Sequence, residues 1–257
     1  MAQDDDPATV LVTGAARRLG RAIALHLAGR GARIGVHYHR SDAEAAGLVA
    51  EIEALGGKAV AFGADLARME ELGSLIEACA ERLGHPTCLI NNAARFQWDD
   101  VASLNPAGWQ AHLDINLRAP IFLAQAFARA LPEEASGSVI NIIDQRVWRL
   151  TPEFFSYTVA KSALWTATKT LAQALSPRIR VNAIGPGPVL PSHRQSEAEF
   201  LAECQSTPLQ RGATPAEVCA AIDFLLATPS VTGQMIALDG GQHLAWARDS
   251  GGQNSSR

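Results

Sequence analysis

A tyrosine and a lysine in the second half of the chain have the chemistry of a proton-transfer site. Tyr157 and Lys161 are one helical turn apart, so on a helix both would project from the same face. A nearby ammonium group favours the ionised form of a phenol, whose usual pKa is about 10. We therefore expect Lys161 to lower the pKa of Tyr157 towards neutrality and to make Tyr157 a usable general acid.

An acidic side chain precedes this pair. Asp144 lies 13 residues before Tyr157, at a place where a serine would polarise a carbonyl group. A carboxyl group there could share a proton with the phenol or bond a ring nitrogen, and each acid would raise the pKa of the other. This favours a nitrogen heterocycle as substrate over an ordinary ketone. The alternative is that Asp144 only caps a turn.

Asn116 is the fourth candidate for the catalytic group. It lies in the sequence Asp-Ile-Asn-Leu-Arg-Ala-Pro, within a long predicted helix. Its side chain, or a locally opened backbone carbonyl, could order a water beside Lys161 and complete a proton relay. The alternative is a buried asparagine that is satisfied by the backbone.

A glycine-containing loop follows the first predicted strand and opens a helix. Gly14 allows a tight turn, and Gly20 lets the helix approach the strand closely. Backbone N–H groups at the helix start, near Leu19, can hold a pyrophosphate. Arg18 replaces the middle glycine of the usual dinucleotide fingerprint. Its guanidinium could reach phosphate oxygens or an aromatic ligand, or it could be a plain surface arginine.

The end of the second strand predicts which nicotinamide cofactor binds. An acidic residue there favours NAD, whereas an arginine accommodates a 2′-phosphate. Here a cation and a hydroxyl are present, and no carboxylate occurs before Asp42. The pattern therefore predicts NADPH, with contacts from His37, Tyr38, His39, Arg40 and Ser41.

Two further strand ends complete the predicted cofactor site. Asp65 and Leu66 follow the third strand and fit an adenine-edge contact. Asn92 and Ala93 follow the fourth strand, where small residues allow the backbone to approach the cofactor. Asn91 or Asn92 could also tie neighbouring loops together, and this role does not exclude cofactor contact.

The scaffold that must position these residues is an alternation of apolar strands and periodic helices. A fully apolar strand such as 139–143 is typical of a parallel sheet covered on both faces. The pattern predicts a doubly wound, Rossmann-type α/β fold with a mostly parallel seven-stranded sheet and helices on both faces. Strands are predicted at residues 9–12, 33–37, 58–62, 88–91, 138–143, 180–184 and 235–238, and helices at 18–30, 42–55, 68–83, 106–130, 154–174 and 215–227.

The predicted organisation is one catalytic domain over residues 8–244. A disordered N-terminus is expected at 1–7 and a polar tail at 245–257. The long helix is expected to kink at Pro120. The stretch 185–214 contains no predicted element, and a loop of that length is typical of a functional lid, placed at 186–213.

Composition excludes several classes of function. The chain has 257 residues, 47% of them hydrophobic, and a net charge of −4, so no basic field favours nucleic acid or an anionic membrane. No apolar run approaches the ~20 residues of a membrane span. The four cysteines form no C-x-x-C pair, and no histidine cluster has metal-ligand spacing. We expect no metal, and reduced, mostly buried thiols in a cytoplasmic protein.

From Val10 to Gly241 the chain resembles the short-chain dehydrogenase/reductase family, and within it the pteridine reductases. Their T-G-x-x-x-R-x-G variant matches residues 13–20, and their H-Y-H-R-S run matches residues 37–41. Their spacing from aspartate to tyrosine matches Asp144 and Tyr157.

The resemblance implies an NADPH-dependent hydride transfer to a C=N bond of a pterin or dihydropterin. The pterin would lie between Phe96 and the nicotinamide, with Arg18 bridging pterin and phosphates. Pro186 and Gly187 would touch the nicotinamide, and Asp144, Tyr157 and Lys161 would form the proton relay. Family members also commonly form tetramers through segments 105–130 and 154–174 and the C-terminal strand, which implies a homotetramer.

Two other functions are compatible with parts of the pattern. Bulky or basic residues around Phe96 and Asp144 depart from the expected pterin pocket, namely Arg95, Trp98 and Gln145 to Trp148. A carbonyl reductase acting on 3-oxoacyl thioesters or small ketones is the first alternative, although it would normally carry a serine and a third glycine. A non-catalytic NADPH-binding protein is the second, and the intact tyrosine–lysine pair argues against it.

Overall fold

A computed structural model of the chain describes residues 7–192 and 195–245. Within them, seven strands form one sheet in the order β3-β2-β1-β4-β5-β6-β7, and every neighbouring pair is parallel. The predicted doubly wound α/β fold is confirmed, and the sheet is wholly rather than mostly parallel. The strands are β1 Thr9–Val12, β2 Arg33–Tyr38, β3 Lys58–Gly63, β4 Cys88–Asn91, β5 Gly137–Ile142, β6 Ile179–Pro186 and β7 Met235–Leu238.

Helices cover both faces of the sheet because alternate strand residues point to opposite sides. Val10 and Val12 pack in a cluster with apolar residues of α1, α2 and α8, whereas Leu11 packs with residues of α3 and α5. All six residues of β5 are buried, as expected for a strand covered on both faces. The helices are α1 Arg18–Gly29, α2 Asp42–Ala54, α3 Met69–Leu83, α4 Pro106–Leu113, α5 Ala119–Ala130, α6 Phe155–Leu175, α7 Glu197–Gln205 and α8 Pro215–Ala227.

The stretch between β6 and α8 was predicted to contain no helix or strand, and this prediction was wrong. It contains α7, which begins at a reciprocal cap. Ser196 Oγ accepts a hydrogen bond from the backbone N–H of Glu199 at 3.3 Å, and the Glu199 carboxylate accepts one from the backbone N–H of Ser196 at 2.7 Å. This S-x-x-E pattern is a start signal visible in the sequence. Residues 193 and 194 of the expected lid lie outside the described residues, as do the predicted terminal segments apart from Pro7 and Ala245.

The predicted kink in the long helix at Pro120 was wrong in position. The interruption lies just before it, where residues Asp114–Arg118 form a π-helical turn between α4 and α5. Pro120 has no N–H group to bond the carbonyl of Asn116, four residues earlier. The proline thus lies in the first turn of α5, where it is tolerated, and the extra residue is accommodated in the preceding turn.

The four cysteines all have free thiols and lie buried. Burial raises the pKa of Cys79 and that of Cys88 to about 12, so both remain protonated at neutral pH. In the described part of the chain, no helix is long and apolar enough to cross a membrane. Residues 7–192 and 195–245 also contain no group of three or more His, Cys, Asp or Glu side chains that could hold a metal ion.

The functional residues meet at the carboxyl edge of the sheet. The chain order reverses between β1 and β4, and ligands of such sheets bind in the crevice at this switch point. The loop after β1 therefore lies beside the loop after β4. The end of β5 is the next along the edge, and this strand leads directly to Asp144.

Candidate active site

Asp144 and Tyr157 are in direct contact. The Tyr157 hydroxyl donates a hydrogen bond to Asp144 Oδ2 at 3.0 Å. The other carboxylate oxygen, Oδ1, accepts the backbone N–H of Arg146 at 2.8 Å, which also caps a short 3₁₀ turn. One carboxylate oxygen of Asp144 therefore caps the turn while the other faces the phenol.

The acid–base balance of this pair differs from the sequence expectation. Burial raises the pKa of Tyr157 well above its usual value, and the Asp144 carboxylate raises it further. The expected lowering by Lys161 was wrong, since the lysine does not dominate the electrostatics of the phenol. Burial also raises the pKa of Asp144, although the bond from Arg146 opposes this. The two acids thus compete for ionisation, and the phenol keeps its proton.

Lys161 shares the helix face of Tyr157 but is engaged elsewhere. Its Nζ donates to the carbonyl oxygen of Ile142, at the end of β5, at 2.7 Å. The same atom lies 5.8 Å from the centre of the Tyr157 ring. Lys161 is 2% exposed, and burial lowers its pKa to about 8. Because this pKa is close to neutral pH, the side chain can donate a proton as an ammonium group and accept one as an amine.

Asn116 lies in the π-helical turn and is fully buried. Its Oδ1 accepts the backbone N–H of Arg95, and its Nδ2 donates to the backbone carbonyl of Arg95, both at 2.9 Å. The side chain therefore fixes the loop after β4. Only the backbone carbonyl of Asn116 is left for the predicted water contact, and the absence of an N–H group on Pro120 is consistent with its being open.

The glycine loop after β1 is built by close backbone contacts. Gly14 has φ +62°, a conformation that favours glycine. A Cβ atom added to Gly20 would lie 2.2 Å from the carbonyl oxygen of Gly14 and 2.6 Å from Nδ2 of Asn92. That Nδ2 atom donates to the carbonyls of Thr13 and Gly14, at 2.9 and 3.1 Å. Asn92 therefore ties β4 to the loop, and Ala93 lies directly against Gly14.

Gly20→Ala should disrupt this loop. Because the added methyl group would collide with backbone oxygen rather than a flexible side chain, we expect a loss of stability of about 1–3 kcal/mol and weaker NADPH binding by at least about tenfold. Thermal unfolding and a fluorescence titration with NADPH measure the two effects. The matched control is Gly73→Ala in α3, where a Cβ meets nothing within 4 Å. This control should raise stability slightly; equal behaviour of the two variants would contradict the tight-contact argument.

Arg18 occupies the place of the middle glycine, with φ +55°. Its guanidinium donates to the backbone carbonyls of Pro191 at 2.8 Å and Leu190 at 3.3 Å. Arg18 also lines a cleft of about 250 Å³ together with Asp144, Tyr157 and Lys161. The structure thus brings Arg18 to the cleft of the predicted catalytic residues, beside the segment after β6.

Leu19, Pro186 and Gly187 line the same cleft, as does Asn92. Gly187 follows β6 and lies close to the loop after β7, because an added Cβ would be 2.8 Å from Asp239 Cα. The sequence prediction had placed all four at the cofactor. Their common cleft brings the four together beside the acid–base pair.

His37 supports the glycine loop from behind. Its Nδ1 accepts the backbone N–H of Gly14 at 3.0 Å, and its Nε2 lies 3.1 Å from the carbonyl oxygen of Ala64. Nε2 therefore carries the proton. Burial lowers the pKa of His37 to about 4, so the ring is neutral at physiological pH. His37 is buried, and its ring acts on the loop.

The rest of the H-Y-H-R-S run lies further out along the edge. Tyr38 is half-buried, with its hydroxyl against Gly63, and His39 faces Asp65 at 3.7 Å. Arg40 is exposed beside Ser41, the residue that precedes α2.

The loop after β3 is anchored by Asp65 and Leu66. The Asp65 carboxylate accepts the backbone N–H of Ala67 at 3.0 Å, and Leu66 is buried in the core beneath it. A second cleft, of about 400 Å³, lies between α1 and α2. Arg17, Arg18 and Arg21 line it together with two carboxylates. Arg17 is paired with Glu44 and Arg21 with Glu51, so the lining has both signs of charge.

The comparisons with known proteins agree with this architecture. A family model described as enoyl-(acyl carrier protein) reductase matches residues 14–243. The chain belongs to the short-chain dehydrogenase/reductase family. As a member of that family it is an oxidoreductase, as the sequence predicted.

Two solved structures and one curated relative illustrate the range of similar family members. The crystal structure of FolM alternative dihydrofolate reductase 1 from Brucella canis, complexed with NADP, is 47% identical; the match covers 95% of this chain and 97% of that one with a TM-score of 0.92. The NADP complex of the same enzyme from Brucella suis is 48% identical, covering 95% and 98%, with a TM-score of 0.91. A 3-oxoacyl-[acyl-carrier-protein] reductase from Synechocystis sp. is 34% identical over 236 residues, 90% of this chain and 95% of the relative.

An aromatic cluster lies beside Tyr157, and the sequence predicted a site role for only one of its phenylalanines, Phe96. Phe96 stacks on Phe154, with ring centres 4.3 Å apart and planes inclined by 4°, and meets the Tyr157 ring edge-on at 4.8 Å. The Arg146 guanidinium covers Phe154 at 4.8 Å. No motif marks Phe154 as a site residue, and its left-handed backbone, φ +53°, has no sequence signal.

Proposed function

We propose that this protein is an NADPH-dependent reductase that transfers hydride to a C=N bond of a pterin or dihydropterin. The observation that carries the proposal is the hydrogen bond from Tyr157 to Asp144 at 3.0 Å, in the cleft that also contains Lys161. The similarity to two dihydrofolate reductases of the FolM type, at 47–48% identity, supports it. Phe96 lies outside the lining of this cleft but next to Tyr157, with ring centres 4.8 Å apart, and Phe154 covers one face of its ring. The proposed substrate ring would stack on the other face.

The residues of the cleft can deliver the proton that this reaction consumes. When hydride adds to the carbon of a C=N bond, the electron pair moves to nitrogen, which then takes a proton. Tyr157 is held as a neutral phenol and can give up its hydroxyl proton to that nitrogen. The raised pKa of Asp144 lets this carboxyl group carry a proton at higher pH than usual and return it to the phenol. Lys161, with a pKa of about 8, can itself donate a proton towards the pair and restore it.

The loop after β1 fits the phosphates of a dinucleotide. Gly14 and Gly20 bring the backbone close, and the start of α1 presents N–H groups and the positive end of its dipole. Arg18 and Arg40 supply positive charge on either side of this loop. Bound NADPH would supply the hydride in the cleft that Pro186 and Gly187 line.

Arg40→Ala should weaken NADPH binding far more than NADH binding. A charge-assisted hydrogen bond to the 2′-phosphate is worth about 1.5–3 kcal/mol, which corresponds to roughly 10- to 100-fold in affinity. Dissociation constants for both nucleotides, measured by fluorescence, test this. Arg30→Ala, at the far end of α1, is the control and should change neither. Equal losses for NADPH and NADH in Arg40→Ala would mean that Arg40 does not contact the 2′-phosphate.

The proposed function is tested by NADPH oxidation against a small substrate panel. We expect turnover with at least one of dihydromonapterin, dihydrobiopterin, dihydrofolate and biopterin, and much slower turnover with a 3-oxoacyl thioester. Activity on the thioester with none on any pterin would reverse the assignment. Binding of NADPH without turnover of any member of the panel would leave a non-catalytic role.

The second candidate function is reduction of 3-oxoacyl thioesters or small ketones. The 34% identity to a 3-oxoacyl-[acyl-carrier-protein] reductase favours it. The geometry disfavours it, because a carbonyl oxygen that gains negative charge would lie beside the Asp144 carboxylate rather than a neutral donor.

We further propose that the protein is a cytoplasmic homotetramer. Buried, free thiols fit a reducing compartment. The two helices that the resemblance assigns to the subunit contacts carry exposed apolar side chains, Phe122 on α5 and Val159 on α6. Exposed apolar side chains of this kind are suited to burial against a second copy.

A further inference from the structure

The loop that carries Phe96 is held at every second residue. We call residues 95–99 the Phe96 loop. The Asn116 side chain brackets the backbone of Arg95 with two bonds of 2.9 Å. The backbone N–H of Gln97 donates to Nε2 of His112, on α4, at 3.2 Å. Asp99 is bound to the start of α6, because its backbone carbonyl accepts the N–H of Phe155 at 3.2 Å.

A buried chain of polar groups joins these anchors. His112 Nδ1 lies 2.5 Å from the hydroxyl oxygen of Ser156, and this hydroxyl in turn donates to Asp99 Oδ2. The backbone N–H of Ser156 donates to Asp99 Oδ1 at 3.1 Å. Ser156 is fully buried, and His112 is 1% exposed. The chain of bonds therefore links the Phe96 loop to the residue that precedes Tyr157.

The bonds fix the protonation state of His112. Nε2 must accept from the N–H of Gln97, so the single ring proton lies on Nδ1 and is donated to Ser156. A doubly protonated ring would place an N–H group against the N–H of Gln97. That contact would replace an attraction by a repulsion at the centre of the Phe96 loop.

We propose that His112 is a positioning residue for the substrate: its unprotonated Nε2 holds the Phe96 loop in place for ring stacking, and protonation of His112 releases the loop. The inference rests on the proposed function, since it assumes that a flat heterocycle stacks on Phe96. Neither Phe96 nor His112 takes part in proton delivery to the substrate. The expected consequence is a substrate KM that rises in acid while kcat follows the Asp144–Tyr157 pair.

The charged groups around His112 shift its pKa in opposite directions. Asp99, with Oδ2 at 4.0 Å from Nδ1, favours protonation, whereas Arg95 on the same loop disfavours it. The Tyr157 ring on α6 contributes no charge, because its phenol is neutral, and its centre is 6.2 Å away. In the π-helical turn that follows α4, Asp114 is paired with Arg118 at 3.0 Å. Burial is the largest influence and lowers the pKa of His112.

The sign of the pH effect follows from this. The folded-state pKa of His112 lies below the ordinary value, so the folded protein binds fewer protons there than the unfolded chain. The bond to Gln97 is fully present at and above the ordinary histidine pKa of about 6.5. It is lost as the pH falls below that value through the lowered pKa.

Two substitutions distinguish the loss of the hydrogen-bond acceptor at Nε2 from the protonation of the His112 ring. His112→Gln keeps an oxygen near the position of Nε2 but cannot be protonated, whereas His112→Leu removes the acceptor. For a dihydropterin, the wild-type KM should rise as the pH falls from 7.5 to below 6.5, by about tenfold once His112 is protonated. The KM of His112→Gln should stay within about twofold of its neutral value. The KM of His112→Leu should be raised about fivefold at pH 7.5, the loss of one hydrogen bond, and should vary little with pH. Any titration of the substrate cancels in the ratio of variant to wild type.

Hydrogen exchange tests the loop without turnover. The amide of Gln97 should lose protection in the wild type between pH 7.5 and pH 5, after correction for intrinsic exchange, and should not do so in His112→Gln. His85→Gln, at an exposed histidine on the opposite edge of the sheet, is the control and should behave as the wild type. Protection of residues 95–99 that is independent of pH in the wild type would overturn the inference. If protection is lost in acid but the protein turns over no pterin, the proposed function is refuted. The role of unprotonated His112 in holding the Phe96 loop would still stand.

Discussion

Tyr157→Phe is expected to lower kcat with a dihydropterin by about 10²- to 10⁴-fold, the usual contribution of a general acid. The substitution removes the hydroxyl that donates to Asp144 at 3.0 Å but keeps the ring that meets Phe96 edge-on. Because the packing is unchanged, the NADPH dissociation constant should stay within about twofold, and the melting temperature should fall little. Single-turnover kinetics with bound NADPH separate the chemical step from cofactor binding.

The residual activity of this variant provides a second observable. The hydrogen bond from Tyr157 lowers the pKa of Asp144, so its loss should raise that pKa further. Because Asp144 supplies the proton in its protonated form, the alkaline limb of the residual pH–rate profile should therefore move to higher pH. A near-normal kcat in Tyr157→Phe would remove the phenol from the role of acid, whatever the pH profile. An NADPH affinity lowered as much as kcat would show that the loss lies in cofactor binding.

The fold could be predicted from the sequence because its signals are local. Runs of apolar residues alternate with helical periodicity, and every predicted strand is present with ends displaced by at most two residues. The element that was missed, α7, has a sequence signal in Ser196 and Glu199, which a search for capping boxes would have found. The π-helical turn before Pro120 is harder, since a proline within a helical pattern does not say on which side the helix adapts.

The site could be predicted in composition but not in electrostatics. Spacing alone places Tyr157 and Lys161 on one helix face, and the structure confirms this. Spacing alone does not show that Nζ of Lys161 is turned to the carbonyl of Ile142. It also does not show that burial outweighs the effect of the ammonium charge on the pKa of the phenol. The sign of a pKa shift depends on which of desolvation and neighbouring charge is larger, and that balance appears only in three dimensions.

The supporting network could not be predicted for another reason. Asp99, His112 and Ser156 come from three separate segments, and no motif links them. Each is an unremarkable polar residue in its own segment, and only the packing of α4 against the start of α6 brings them together. Chemistry that depends on long-range contacts of this kind leaves no spacing to recognise.

Asp144→Ser should change which substrates are reduced. Loss of the carboxyl group removes the partner that shares a proton with Tyr157, so kcat/KM with a dihydropterin should fall by at least about 10²-fold. A serine hydroxyl can donate to a carbonyl oxygen, so turnover of a 3-oxoacyl thioester should rise in the same variant. In addition, the carboxylate raises the pKa of Tyr157, and its removal should lower that pKa and shift the alkaline limb of the rate profile to lower pH.

Asp144→Asn is the matched control for this experiment. It preserves the shape of the side chain and should lose pterin activity and lower the pKa of Tyr157 in the same way. It lacks the hydroxyl, so we expect no gain with the thioester. Steady-state kinetics on both substrates, with NADPH affinity measured alongside, compare the three proteins. Retained pterin turnover in both variants would mean that Tyr157 alone supplies the proton, and that Asp144 serves only to cap the turn at Arg146.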